Sequence, residues 1–247
     1  MDLGLGGRRA LVTGGSRGIG LAVGRALARE GADVALLARS AESVERAAAD
    51  VAGESGGRVI GVAADTGDDT SVTTAVATVV EQLGGVDVLV NAAATPNTGA
   101  PLPEDALEAE INVKVRGYLR CARAVAPLMT AAGWGRIINI SGLAARQTGT
   151  VVGSVRNVAV AAMTKNLADE LGAQGVNVTV VHPGLTQTER AIDPELERAA
   201  AAGVSIGRIV TAEEVADVVA FLASPRSVAL NGDPVIASGG ARGPIYY

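Results

Sequence analysis

The chain has 247 residues, a formal net charge of −5, and 48% hydrophobic residues with only 2% aromatics. That length and apolar share exclude a disordered segment and leave room for one large α/β domain with a buried core. The scattered arginines form no basic face, which excludes a nucleic-acid partner, and a lone Cys121 and a lone His182 exclude an intrachain disulfide and argue against a zinc site.

No apolar run approaches the roughly 20 residues needed to cross a bilayer. The opening "MDLGLGGRRALVTGG" lacks the basic-then-apolar order of a signal peptide. These features predict a soluble, cytoplasmic protein with no membrane or nucleic-acid partner, and no metal. With so few aromatics, any pocket must be lined mainly by aliphatic side chains, which fits a small or medium apolar ligand.

"RALVTG" (9–14) reads as a buried strand, 18–30 as a helix ended by Gly31, and "DVALLAR" (33–39) as the next strand. A helix over 41–52, a strand at 58–65 and a helix over 69–83, closed by Gly84 and Gly85, follow. "VDVLVNA" (86–92) is a strand, and 104–132 is helical. "GRIINIS" (135–141) is a strand, 154–172 a helix and "VNVTVVHPG" (176–184) a strand. A helix over 211–223 and a short strand at 234–238 complete the pattern. Strands apolar on both faces and separated by helices predict a mainly parallel sheet covered on both sides. Right-handed crossovers then give a doubly wound Rossmann fold. The stretch 185–207 is the one long insertion after a strand's C-terminal end, so it is a lid candidate within a single domain spanning 1–247.

"TGGSRGIG" (13–20) follows the first strand and opens the first helix. Glycines there permit a tight turn and let backbone approach a pyrophosphate at a helix N-terminus, although Gly14 and Gly15 would also suit a plain turn. At the end of the second strand, Ala38 stands where an acidic residue would hydrogen-bond the 2′-OH of NAD. Arg39 and Ser40 come next, and Arg39 with Arg17 could clamp a 2′-phosphate, so NADP(H) is favoured over NAD(H). The alternative is that Arg39 is a solvated charge at a strand end.

The glycine spacing (14, 18, 20), Asp65, "NAAA" (91–94), Asn112 and "HPG" (182–184) together resemble the short-chain dehydrogenase/reductase family over essentially the whole chain. The resemblance implies a seven-stranded sheet that binds NAD(H) or NADP(H), often in a homodimer or homotetramer. It implies Gly14, Ser16, Arg17, Gly18, Ile19 and Gly20 around the phosphates, and Asp65 with Thr66 by the adenine. Asn91 and Ala92 would lie along the ribose, with Pro183, Gly184 and Thr186 around the nicotinamide.

Family members work with a Ser-Tyr-Lys group supported by an Asn. The Tyr exchanges a proton with the substrate oxygen, the Lys lowers the Tyr pKa and holds the ribose, and the Ser hydrogen-bonds the substrate. In this chain the matching Tyr, Lys and Ser positions hold Gly153, Asn157 and Gly142, while Asn112 stands at the Asn position. Ser141 is one residue early, and a one-residue shift turns a strand side chain to the other face. The tyrosines are Tyr118, Tyr246 and Tyr247, and the lysines are Lys114 and Lys165. Lys165 lies about 12 Å along the helix from Asn157, and Tyr118 reads as a core or interface residue. Tyr247 could enter a neighbouring subunit's site, and His182 could serve as a base. Arg156 could bind an anionic substrate or pair with a lid glutamate such as Glu189; it could equally be a solvated helix charge.

Three functions compete on this sequence. The first is an NADP(H)-dependent oxidoreductase with a rearranged proton donor. The second is a non-redox isomerase, lyase or cyclase on the same scaffold. The third is an NADP(H)-binding pseudoenzyme or regulatory subunit. The intact phosphate end ranks the oxidoreductase first.

Overall fold

A computed structural model of the chain describes residues 2–95, 104–190 and 192–243. Among these, seven strands form one parallel sheet in the order β3-β2-β1-β4-β5-β6-β9. They are β1 (Arg9–Thr13), β2 (Asp33–Ala38), β3 (Val59–Ala63), β4 (Val88–Asn91), β5 (Gly135–Ile140), β6 (Val176–Pro183) and β9 (Pro234–Ala237). The helices are α1 (Gly18–Arg29), α2 (Ala41–Ser55), α3 (Asp69–Leu83), α4 (Glu104–Glu110), α5 (Gly117–Ala131), α6 (Val151–Leu171), α7 (Pro194–Ala202) and α8 (Ala212–Ala223). The doubly wound parallel architecture expected from the sequence is the one observed.

The two-residue period of the strands sorts their side chains between two cores. Ala10, Val12, Val34, Leu36, Val88 and Val90 face α1, α2 and α8. Their neighbours Leu11, Ala35, Leu37 and Leu89 face α3, α5 and α6. Helix ends follow local chemistry. Ser40, Asp68 and Thr150 cap α2, α3 and α6 by accepting a backbone N–H, and Gly56 and Gly84 end α2 and α3 in the left-handed region.

Two features depart from the expected pattern. The helical stretch predicted over 104–132 carries a π-helical segment, Ile111–Arg116, between α4 and α5. Such segments cluster at functional sites. The lid candidate contains its own structure: β7 (Thr186–Gln187) pairs in parallel with β8 (Val210–Thr211), and α7 lies between them. Thr211 and Glu214 form a capping box that starts α8, and Arg208 grips the Glu214 carboxylate at 2.5 and 2.8 Å.

At the N-terminal end of the sheet, Asp87 is buried and receives three bonds from Arg9 on β1: backbone N–H at 2.9 Å, Nε at 2.7 Å and a terminal N–H at 2.7 Å. Burial alone would push this carboxyl up, but the Arg9 fork outweighs it and holds the group below its usual range. The pair therefore contributes stability above the ordinary carboxylate range and loses it as pH falls through the depressed value. Replacing Asp87 by Asn leaves a half-buried guanidinium without its partner. The expected cost is about 2–3 kcal/mol, measured by urea unfolding at pH 7, and the difference from the parent should shrink as the pH approaches 2.

Candidate active site

The chain leaves β1 towards β2 and β3 on one side of the sheet, and returns to build β4, β5 and β6 on the other. Doubly wound sheets bind ligands at that reversal, beyond the strands' C-terminal ends. There the buried Thr13 hydroxyl accepts the backbone N–H groups of Ala92 (3.1 Å) and Ala93 (3.2 Å), which draws the segment after β4 over the end of β1. Gly14 has φ +68°, and a Cβ on it would lie 2.8 Å from the Ala92 carbonyl oxygen. A Cβ on Gly20 would collide with the Gly14 carbonyl. Only glycines let the turn lie this close to both the helix start and β4.

Gly18 opens α1, and its N–H donates to both carboxylate oxygens of Glu189, at 3.0 and 3.2 Å. A helix N-terminus favours an anion because its first N–H groups have no intrahelical partner. The turn thus already holds an anionic group, and its donors and its close glycine packing fit a dinucleotide pyrophosphate. Ser16 and Ile19 are half-buried beside it, and Arg17 is exposed. Arg39, at the end of β2, is exposed too; neither the Arg17 nor the Arg39 guanidinium has a hydrogen bond or ion pair among the described residues. Ser40 accepts the Ser43 N–H at 3.3 Å as the cap of α2. Asp65 is exposed and accepts the Gly67 N–H at 2.8 Å, whereas Thr66 is buried against Gly117.

At the other end of the site, three elements converge on the residues after β5. The Ser141 hydroxyl donates to the Asn157 carbonyl on α6 at 3.0 Å. The Ser141 carbonyl accepts the Lys114 ammonium, from the π segment, at 2.9 Å. A Cβ on Gly142 would sit 3.2 Å from the Asn157 amide nitrogen. Gly153 lies one turn earlier on α6 and donates its N–H to Thr150 at 3.1 Å. Pro183 is buried, and Thr186 donates its hydroxyl to the Gly184 carbonyl at 3.0 Å. Two cavities flank the 185–207 segment. One, of about 300 Å³, is lined by Leu143, Leu185, Val204 and Ile209 with Arg242 at its edge. The other, of about 330 Å³, lies between Glu189, Thr188, Leu21 and Arg25 at the start of α1.

The charges here are unusual. Lys114 is buried, and burial pushes its ammonium down from 10.5 to about 8. Its one hydrogen-bond partner among the described residues is the Ser141 carbonyl, which is neutral. His182 is fully buried on β6; burial first, then the charges of Arg146 and Lys114, pushes its imidazole down to about 4. It is therefore neutral at pH 7, and a hydrogen bond with the Gly142 backbone only partly offsets the shift. The Asn157 side-chain oxygen is buried without a partner among the described residues.

Several residues stand elsewhere than the sequence implied. Asn112 is turned away from Ser141: its amide donates to the Gly67 carbonyl at 3.1 Å, and its oxygen accepts from Arg120 at 3.0 Å. Two residues span about 200° around a helix, so Lys114, not Asn112, faces the end of β5. The Asn91 side chain packs inside the sheet. It donates to Asn139 at 2.9 Å and more weakly to the Tyr118 carbonyl at 3.4 Å, while the half-buried Ala92 lies at the rim. Arg156 is neither a solvated charge nor the partner of Glu189; it is buried in an ion pair with Glu110, which also accepts the Thr95 hydroxyl. Tyr118 is a core residue whose hydroxyl donates to the Ile140 carbonyl at 3.0 Å. Lys165 is exposed and paired with Asp169. Tyr246 and Tyr247 lie outside the described residues. The signal for Lys114 in the sequence was its place two residues after Asn112, but which of the two faces the site depends on helix phase.

A buried ammonium without a carboxylate destabilises the fold. Its folded pKa lies below the unfolded value, so the cost is complete below about pH 8 and disappears as pH rises towards 10.5, where both states lose the proton. Lys114→Met should therefore raise the unfolding free energy at pH 7 by about 3 kcal/mol. Paired urea titrations of variant and parent should show that gain shrinking steadily between pH 8 and 10.5.

A profile of the family described as enoyl-(acyl carrier protein) reductase matches residues 14–242. The short-chain reductase protein NovJ of Streptomyces niveus is 38% identical over 94% of this chain and 92% of its own length. The solved structure of L-sorbose reductase from Gluconobacter frateurii, complexed with NADPH and L-sorbose, superposes with a TM-score of 0.92 at 29% identity, covering 99% of this chain and 100% of that one. A short chain dehydrogenase from Burkholderia cenocepacia in complex with NADP gives 0.86 at 36% identity, covering 96% and 98%. Glycine turn, sheet order and similarity along nearly the full length agree: the relatives named above are reductases and a dehydrogenase, and the chain belongs to the short-chain dehydrogenase/reductase family.

Proposed function

We propose that this protein is an NADP(H)-dependent oxidoreductase with a non-standard reacting centre, acting on a small or medium apolar carbonyl or alcohol. The observation that carries this reading is the α1 N-terminus, where Gly18 already binds a carboxylate and two exposed arginines without ion pairs, Arg17 and Arg39, stand nearby. Ala38 places no negative charge against a 2′-phosphate. The solved relatives that carry NADPH and NADP support the same cofactor. Ser16, Gly18 and Ile19 would hold the pyrophosphate, Arg17 and Arg39 the 2′-phosphate, Asp65 and Thr66 the adenine, and Ala92, Pro183, Gly184 and Thr186 the nicotinamide half. A bound nicotinamide supplies hydride chemistry, which accounts for a retained phosphate end better than non-redox chemistry does. The aliphatic cavity at Leu143, Leu185, Val204 and Ile209 supports an apolar substrate, with the 185–207 segment as its lid.

A homodimer or homotetramer is part of the same proposal. The first half of α6 has valines on both faces: Val152 and Val160 are buried, while Val151, Val155 and Val158 are exposed on the opposite side. An exposed apolar stripe of this kind calls for cover. Among the described residues no helix is long and apolar enough to cross a membrane. A cytoplasmic location, where NADPH is available, fits this reading.

Calorimetric titration tests the cofactor. NADPH should bind much more tightly than NADH, and Arg39→Ala should weaken NADPH about tenfold, or about 1.4 kcal/mol, while leaving NADH unchanged. Binding of neither nucleotide would sink the reading. Glu189 and the pyrophosphate share one set of donors, so Glu189→Gln should tighten both nucleotides about three- to tenfold, read in the same titration.

A further inference from the structure

We propose that Lys114 is the proton donor of the reacting centre, taking from the π segment the place left by Gly153 and Asn157 on α6. This rests on the oxidoreductase reading above. Four observations converge on it. The Lys114 amine reaches the Ser141 carbonyl, one peptide from Gly142, and uses one of its three N–H bonds there. Gly142 and Gly153 have no side chains, so neither provides a hydroxyl for proton transfer. The Asn157 side-chain oxygen is buried without a partner among the described residues, which marks a polar place prepared for a ligand. Finally, a buried ammonium without a carboxylate is costly to the fold, and costly titratable groups cluster at functional sites.

The charged and titratable groups around Lys114 leave it as the donor. His182 on β6 is held neutral and carries no transferable proton of suitable acidity at pH 7. Arg146, after β5, does not release a proton. Glu110 and Arg156 are engaged with each other, and the Tyr118 hydroxyl and Cys121 thiol on α5 are buried with their pKa values pushed up. Burial that lowers the Lys114 pKa to about 8 makes it a stronger acid than an ordinary lysine and keeps it protonated at pH 7.

In the reducing direction the step balances as follows. The carbonyl carbon receives a hydride from NADPH, which is oxidised to NADP+, and the ketone is reduced to a secondary alcohol. One Nζ–H bond of Lys114 breaks and its proton forms the new O–H bond. The neutral amine left behind takes its proton back from water.

The chain has only two lysines, so selective labelling reads the group directly. With 13C,15N-lysine, two side-chain signals are expected, and Lys165→Arg removes the exposed one. The remaining signal should titrate near pH 8 and shift when NADPH is added. NADPH oxidation with ethyl pyruvate as the probe ketone should fall above about pH 8. Lys114→Met should lower that rate about 10²–10⁴-fold with NADPH affinity within threefold of the parent by calorimetry. Lys114→Arg keeps the charge but cannot donate, so it should be as slow as the Met variant. The proposal is overturned if the Lys114 signal titrates above pH 10, if Lys114→Met keeps the parent rate, if Lys114→Arg restores it, or if the parent binds NADPH and reduces no ethyl pyruvate. Failure to bind NADPH at all would instead bring down the cofactor reading on which the proposal stands.

Discussion

A run of buried hydrogen bonds through the middle of the sheet holds the reaction end in place. Asn91 on β4 donates to Asn139 on β5 at 2.9 Å, Asn139 donates to Thr164 on α6 at 2.9 Å, and Thr164 donates to the Val160 carbonyl at 2.8 Å. All three side chains are fully buried. In such surroundings a hydrogen bond is strong and an unmade one is costly, so the run permits little alternative packing. That matters because the first half of α6 carries valines on both faces, and burial of apolar area alone does not fix its rotation there. Polar contacts do. Asn157 lies seven residues before Thr164, two turns along the same face, which brings its carbonyl to Ser141 and its amide to Gly142.

The molecule divides its electrostatics between the two ends of the sheet. Beyond the N-terminal ends of the strands, Asp87 meets Arg9 as a fully formed carboxylate–guanidinium fork, a stabilising arrangement. Beyond the C-terminal ends, positive groups gather without matching carboxylates: Lys114 is buried, and Arg17 and Arg39 are exposed. Among the described residues, the carboxylate that meets the glycine turn is Glu189, from the 185–207 segment, and it accepts a backbone N–H rather than pairing with a side chain. Glu189 thus occupies the backbone donor at the start of α1 that any other anion at this turn would need.

The π segment connects these features. It interrupts an otherwise continuous helical run from α4 to α5, and it places Asn112 towards Gly67 and Arg120 while Lys114 points under the end of β5. Four residues thus meet after β5: Gly142 packs against the Asn157 amide of α6, Gly153 lies one turn earlier on that helix, and Lys114 brings a cation from the π segment.

The sequence by itself determined the architecture and the glycine turn that opens α1. Strand alternation, helix caps and the position of "TGGSRGIG" between the first strand and helix are local properties, and the structure reproduces them with boundaries shifted by only a few residues. Gly14 and Gly20 were legible because a tight turn excludes Cβ atoms whatever lies further away. Tertiary structure decided the rest. Whether Asn112 or Lys114 enters the site depends on the rotational phase of a π-helical segment against β5. Whether Asn91 meets a ligand or Asn139, and whether Arg156 meets Glu189 or Glu110, depends on distances between elements far apart in the chain. A pattern of residue types carries the period of each element but not its rotation or its neighbours, and burial, which moves the lysine and the histidine from their ordinary pKa values, exists only once those neighbours are packed.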